Sequence, residues 1–305
     1  MKRARLIYNP TSGREKIRKY LPYILERLEQ AGYETSTHAT TGPGDAVRAA
    51  KEAAERQYDL VIAAGGDGTV NEVINGLAAS EHRPMLGIIP CGTSNDFARA
   101  MGIPKKIKAC CDVLCGSHTL LIDIGKANNR YFINVAAGGT MTELTYEVPS
   151  KLKTVFGYLA YLIFGVKKLP TLRPYHVKIE YDGNNYEGDI FLFFLCNTKA
   201  VGGFDKVAPL SNVDDGLLDL IIVEKMTVPK LVQAGIKTIS SKHLKDAKIK
   251  YHQVKNVRIT FEPKQMPINL DGEYGGDTPM EFACLHHHFQ LLAPDPNIQF
   301  NKRKR

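Results

Sequence analysis

The sequence has no run approaching the ~18 consecutive apolar residues of a membrane-spanning helix, so no such helix is expected. Its start, Met1-Lys2-Arg3-Ala4-Arg5-Leu6-Ile7-Tyr8, is basic and then apolar. The apolar part is too short for a signal peptide and reads as a first buried strand. Six cysteines, Cys91, Cys110, Cys111, Cys115, Cys196 and Cys284, include no Cys-x-x-Cys pair and suggest no disulfide framework. Reduced thiols in a cytoplasmic protein are the expectation. Cys110, Cys111 and Cys115 read as buried positions on a helix with Val113 and Leu114, in preference to a metal cluster. There is no Gly-Lys-Ser/Thr, which disfavours a P-loop nucleotidase, and no Gly-x-Gly-x-x-Gly fingerprint. Internal repeats and low-complexity stretches are also missing.

What is present is ordinary globular material. The chain has 305 residues, 44% hydrophobic and 24% charged. At roughly 100–200 residues per domain that predicts two domains, each with a real core. The net charge of +8 admits nucleic acid, an anionic membrane face or a polyphosphate substrate as partner. The basic residues are scattered and no nucleic-acid module is recognisable, so no nucleic-acid partner is expected. The terminal Lys302-Arg303-Lys304-Arg305 reads as a solvated end.

Residues 1–122 alternate short apolar runs with helical spacing. Runs at 6–8, 60–64 and 85–89 predict buried strands, and Leu21, Ile24, Leu25 and Leu28 recur as on a helix. This pattern predicts an α/β domain with a mainly parallel sheet, whose ligands bind beyond the carboxyl ends of the strands. From about residue 121 the texture becomes β-rich, with runs at 131–135, 176–181, 189–194, 218–223 and 257–261. Asp182-Gly183-Asn184-Asn185 signals a hairpin between two of them. Helical interludes are predicted at 151–168 and at 228–242, the second with Pro229 near its start.

Three loops share one composition. Asn9-Pro10-Thr11-Ser12-Gly13, Gly65-Gly66-Asp67-Gly68-Thr69-Val70-Asn71-Glu72 and Pro90-Cys91-Gly92-Thr93-Ser94-Asn95-Asp96-Phe97 each follow a predicted strand. Glycine permits close backbone approach, and free N–H groups at a helix start favour negative charge. Each loop alone fits a capped strand-to-helix turn; three on one side of a sheet predict a phosphate site. Asp67 and Asp96 would repel phosphate unless a cation intervened, and Mg²⁺ suits hard oxygen ligands. Near the other end, Asp271 or Glu273 in Asn269-Leu270-Asp271-Gly272-Glu273 are candidates to accept a hydroxyl proton, although a turn with solvated acids has the same appearance.

Gly65–Glu72 together with Gly92-Thr93-Ser94-Asn95-Asp96-Phe97-Ala98-Arg99 resembles the diacylglycerol kinase catalytic domain. That superfamily includes sphingosine and ceramide kinases, with NAD kinases as distant relatives. The second segment, Asn134-Val135-Ala136-Ala137-Gly138-Gly139 and Asp271-Gly272-Glu273 favour the lipid branch. The resemblance covers essentially the whole chain and lies toward the soluble bacterial diacylglycerol kinases. It implies an amino-terminal α/β ATP-binding domain at 1–122 with return strands at 286–305, and a larger β-sandwich at 123–285 for the lipid. It implies ATP contacts at Asn9, Pro10, Thr11, Ser12, Gly13, Thr40, Gly66, Asp67, Gly68, Thr69, Val70, Asn71, Glu72 and Thr93. Asp67, Asp96 and Asp123 would hold a water and Mg²⁺ network, and Glu273 would be the general base with Asp271 beside it. A second Mg²⁺ loop would use the Asp215 side chain and the Asn212 and Leu217 carbonyls.

The activity so implied is ATP-dependent phosphorylation of diacylglycerol to phosphatidate, with a sphingoid base or NAD as the alternative acceptor. The partner is then diacylglycerol in an anionic membrane surface, with a homodimer also open to the chain. Lys151, Lys153, Lys167, Lys168 and Arg173 flank the apolar residues 156–164, which predicts a peripheral docking segment; an amphipathic helix packed on the sheet has the same pattern. Val201-Gly202-Gly203-Phe204 departs from the longer glycine run of many relatives, so Phe204 bears on the lipid pocket. A non-catalytic binding protein of the same fold is disfavoured by the intact Asp67, Asp96, Asp271 and Glu273.

Overall fold

The computed structural model describes residues 1–13, 15–140, 173–201, 206–238, 243–262 and 265–297. The predicted helix at 151–168, its flanking lysines, residues 202–204 and the basic tail lie outside the described residues. Two compact units divide the chain, Met1–Ile122 with His287–Arg305, and Asp123–His286.

The first unit holds a parallel sheet in the order β2 (Tyr33–Ala39), β1 (Lys2–Tyr8), β3 (Leu60–Gly65), β4 (Met85–Pro90). All six residues of β3 are buried, as a strand inside such a sheet requires. The carboxyl-terminal end of β15 (Met280–Leu292) joins in parallel, Leu291 opposite Leu86. The crossovers are α1 (Lys16–Gln30), α2 (Asp45–Glu55) and α3 (Asp67–Ala78). Strand order reverses direction after β2, so right-handed crossovers place α1 on one face and α2 with α3 on the other. Two short helices, α4 (Asp96–Ala100) and α5 (Ile107–Leu114), follow β4. The switch point lies between β1 and β3, where a doubly wound sheet opens a crevice. Burial raises the Cys110 thiol to about 12, consistent with a core position on α5.

The second unit is antiparallel. β14 (Glu273–Asp277), β13 (Pro267–Leu270), β7 (Val135–Gly139), β9 (Asn184–Cys196), β8 (Tyr175–Tyr181), β12 (Asn256–Glu262) and the start of β15 succeed one another. β10 (Leu218–Glu224) joins β9 to β11 (Ile249–Val254). Asp182 and Gly183 both take positive φ, 43° and 82°, so the predicted hairpin is a two-residue primed turn. Phe132, Phe193, Ile259, Ile268 and Phe282 anchor one core, while Phe191, Ile221 and Leu231 belong to another. Leu231 lies on α6 (Val228–Thr238), the described part of the second predicted helix.

The run predicted as one strand at 131–135 is two, β6 (Arg130–Phe132) and β7. The backbone N–H groups of Ile133, Asn134 and Val135 all turn to the Asp271 carboxylate, which interrupts the ladder. The three consecutive histidines, His286, His287 and His288, lie in β15 with buried Phe289, Leu291 and Leu292. Simple alternation of faces does not hold there, because His287 has φ 49°.

Candidate active site

The loops after β1, β3 and β4 touch backbone to backbone. Asn9 starts the first: its side-chain oxygen accepts the Thr11 N–H at 3.0 Å and the Thr11 hydroxyl at 2.9 Å. Gly13 ends it with φ 58°, and a Cβ there would lie 2.4 Å from the Cys91 carbonyl oxygen. In the other direction, a Cβ on Gly92 would lie 2.6 Å from the Gly66 Cα. Only glycine allows both approaches. Gly65 is equally confined, since a Cβ would meet the Thr69 hydroxyl at 2.3 Å. Cys91 donates its N–H to the Gly65 carbonyl at 2.7 Å. Burial raises its thiol to about 11, so it contributes packing in preference to reactivity.

Asp67 ties the second loop to the third. Its two carboxylate oxygens accept the N–H of Asn95 at 2.8 Å and of Asp96 at 2.7 Å, capping α4. Asn95 has φ 49°, and its side chain closes the loop on itself through Gly92 at 2.9 and 2.7 Å. Asp96 is buried and pairs with Arg99 at 2.8 Å. Thr93 and Ser94 stand exposed on the loop crest. Of the stretch expected to meet nucleotide, Gly66, Asp67, Gly68 and Thr69 form the start of α3. Val70 and Asn71 are buried, and the Val70 N–H is already bonded to the Gly66 carbonyl. The Glu72 carboxylate is turned to Gly44 and Ala46, whose N–H groups it accepts at 3.1 Å each. Pro10, Ser12 and Thr40 lie at the ends of β1 and β2, with the Thr40 N–H on the Tyr8 carbonyl at 2.9 Å.

The second unit holds the remaining acids. Asp271 is fully engaged by backbone, accepting from Ile133 at 2.7 Å, Asn134 at 2.8 Å and Val135 at 2.9 Å. Glu273, two residues on, is exposed, and no side-chain hydrogen bond or ion pair is found for it among the described residues. Asp123 is completely buried; it accepts the Gly216 N–H at 2.6 Å and faces the His286 ring nitrogen at 2.9 Å. It therefore belongs to the 212–217 loop. Asp67 and Asp96 lie in the first unit and Asp123 in the second. Asp215 folds back on its own turn, accepting the Leu217 N–H at 3.0 Å. Burial, with the neighbouring Asp123 and Asp214 carboxylates, raises its pKa. Such crowded hard oxygens fit a divalent cation.

Asn95 and Asn197 carry structure that composition did not single out. Asn197 is fully buried and donates from its amide to the carbonyls of Asp123 and Ile133, 2.9 Å each. A polar residue at the end of the apolar strand β9 was the available signal.

The chain thus combines a doubly wound sheet, with glycine-built loops at its switch point, and an antiparallel unit. Residues 3–127 match the diacylglycerol kinase catalytic domain, and residues 138–293 match the YegS C-terminal NAD kinase beta sandwich-like domain. The chain is similar to a protein named diacylglycerol kinase from Bacillus subtilis (strain 168), 53% identical over 300 residues, covering 96% of this chain and 97% of that one. A diacylglycerol kinase from Staphylococcus aureus (strain bovine RF122 / ET3-1) is 48% identical over 296 residues, covering 96% and 93%. A solved diacylglycerol kinase structure from Bacillus anthracis str. Sterne superposes with TM-score 0.77 at 30% identity, covering 96% and 97%. The chain belongs to the diacylglycerol kinase family and is a kinase of that family. No helix among the described residues is long and apolar enough to cross a membrane.

Proposed function

We propose that the protein transfers the γ-phosphoryl group of ATP to the free hydroxyl of diacylglycerol, giving phosphatidate. The observation that carries the nucleotide half is the junction of three strand-end loops through Gly13, Gly66, Gly92 and Asp67. It leaves the first-turn N–H groups of α3 and the hydroxyls of Thr69, Thr93 and Ser94 at the carboxyl edge of the sheet, where phosphate binds. The relatives named diacylglycerol kinase support the acceptor.

Glu273 is the base in this reading, because it is exposed while Asp271 is committed to three backbone donors. Glu273 accepts the hydroxyl proton as the lipid oxygen bonds to the γ-phosphorus, and the bond to the β-phosphate oxygen breaks. Asp271 holds the 133–135 backbone in place beside that turn. Asp215, Asp123 and the carbonyls of Asn212 and Leu217 would hold a structural Mg²⁺, and a Mg²⁺ on the nucleotide neutralises phosphate charge when bound. Asp67 and Asp96 shape the phosphate loops, and any part they take in holding Mg²⁺ adds to that capping role.

A bilayer lipid must be met at the surface, and the 151–173 segment is the docking candidate. A radiolabelled ATP assay against diacylglycerol, a sphingoid base and NAD tests the proposal. Phosphatidate as the main product is expected; label passing to NAD or the sphingoid base instead refutes the acceptor. Vesicle binding should strengthen with anionic lipid and weaken with salt.

A further inference from the structure

We propose that Glu72 is a positioning residue for the nucleotide, clamping the loop after β2 onto α3 so that Thr40 is held beside the phosphate loops. The inference rests on the nucleotide reading above. Glu72 lies on the second turn of α3, directly after the phosphate loop. A carboxylate there would repel phosphate if it faced the ligand. Instead its two oxygens accept the N–H groups of Gly44 and Ala46, each at 3.1 Å. Those are orphan donors at the start of α2, an end that favours negative charge. The N-cap of α2 is Gly44, with φ 80°, so the helix has no capping side chain of its own at that position. Glu72 supplies one from a neighbouring element.

Asp45, between the two donors, faces the other way. Its carboxylate accepts the Thr41 N–H at 2.9 Å and the Thr41 hydroxyl at 3.0 Å, meets the His38 ring at 3.1 Å, and pairs with Arg48 at 2.6 Å. Asp45 thus folds residues 38–45 on themselves, and Glu72 attaches the folded loop to α3. The other end of the loop is fixed by the Thr40 N–H on Tyr8, where the Asn9–Gly13 loop begins. The helices also touch further along, since a Cβ on Gly76 would lie 2.4 Å from the Val47 carbonyl oxygen. With Gly13 against Cys91 and Gly66 against Gly92, the Glu72 clamp brings the loop after β2 into the same assembly as the other three.

The test is Glu72→Gln, which keeps the shape but replaces one acceptor with a donor. The KM for ATP should rise about tenfold, as expected for losing a charge-assisted bond, with kcat within about twofold and the lipid KM unchanged. Amide hydrogen exchange should quicken at Gly44 and Ala46. A residue that is merely structural would lower the melting temperature and leave the ATP KM alone. If Glu72→Gln does not fold, Glu72→Asp keeps the charge with a shorter reach and should show the same split, less marked. A wild-type ATP KM in the variant overturns the proposal. A wild-type protein that ATP fails to stabilise against heat overturns the nucleotide reading and this inference together.

Discussion

The Asp67 carboxylate accepts the backbone N–H of Asp96 at 2.7 Å, 29 residues further along the chain. With the companion bond to Asn95 at 2.8 Å, one side chain caps α4 and fixes the distance between two glycine loops. Asp67→Asn would keep one acceptor and aim its amide NH₂ at the other N–H. A lost cap costs about 0.5–2 kcal/mol. The variant should be less stable by that amount and unfold at a lower temperature, and its kcat/KM for ATP should fall by about 10²-fold because the loops lose their register. Thermal denaturation and steady-state kinetics on one preparation check both halves; unchanged kinetics at reduced stability would leave Asp67 a cap only.

Asp271 and Glu273 are separable by mutation because their surroundings differ. Asp271→Asn leaves at least one of the Ile133, Asn134 and Val135 donors facing an amide NH₂, so the main loss is stability, about 1–3 kcal/mol. Glu273→Gln removes an exposed carboxylate that makes no side-chain hydrogen bond or ion pair among the described residues, so the fold should melt at the wild-type temperature. Its kcat should fall by about 10²–10⁴-fold, the usual contribution of a general base. ATP-induced thermal stabilisation should survive in Glu273→Gln. Normal kinase activity in that variant would sink the base assignment.

These two acids show what sequence alone makes legible. The buried strand β3 declares itself as six apolar residues, and Asp182-Gly183 declares its turn, because burial on both faces and positive φ each restrict residue choice. Strand β2 does not declare itself: Tyr-Glu-Thr-Ser-Thr-His-Ala lies at the sheet edge, bonded among the described strands only to β1, and needs little apolar surface. The glycines of the phosphate loops can be read from their spacing after strands. Which loops touch cannot, since Gly13 meets Cys91 through the tertiary fold. For the same reason sequence marks Asp271 as an acid beside Glu273 and does not mark Asn197, since the structural part each plays lies in bonds to distant backbone.

The 212–217 loop predicts a metal-dependent stability. Burial and the neighbouring Asp123 and Asp214 carboxylates raise the Asp215 pKa, which marks negative charge without full compensation. A bound divalent cation relieves it. Millimolar Mg²⁺ should raise the melting temperature of the wild type, by about 1–3 kcal/mol of stabilisation at saturating metal. Chelation should reverse the gain, and Asp215→Asn should abolish it while the ATP KM changes little. Equal Mg²⁺ stabilisation of wild type and variant would place the ion elsewhere.

His243 predicts how stability depends on pH. It is 3% exposed, and its Nε2 meets the Val207 carbonyl at 2.8 Å. Burial lowers its pKa from the usual 6.5, with the Val207 bond opposing the shift in part. The folded state therefore holds the ring neutral at a pH where the unfolded chain is already protonating it. More protons bind to the unfolded state in that window, so stability is intact above about pH 6.5 and declines as pH falls below it. The steepest slope one such group can supply is about 1.4 kcal/mol per pH unit. Denaturant unfolding at pH 7.5 and 5.5 measures the loss. His243→Gln keeps a donor for Val207 and cannot titrate, so its pH 7.5 to 5.5 difference should be smaller than that of the wild type. His288, whose pKa burial also lowers against the opposing bond to the Ala78 carbonyl at 2.9 Å, accounts for part of the remainder. If the Gln variant loses as much stability as the wild type, the acid sensitivity of this protein does not arise at His243.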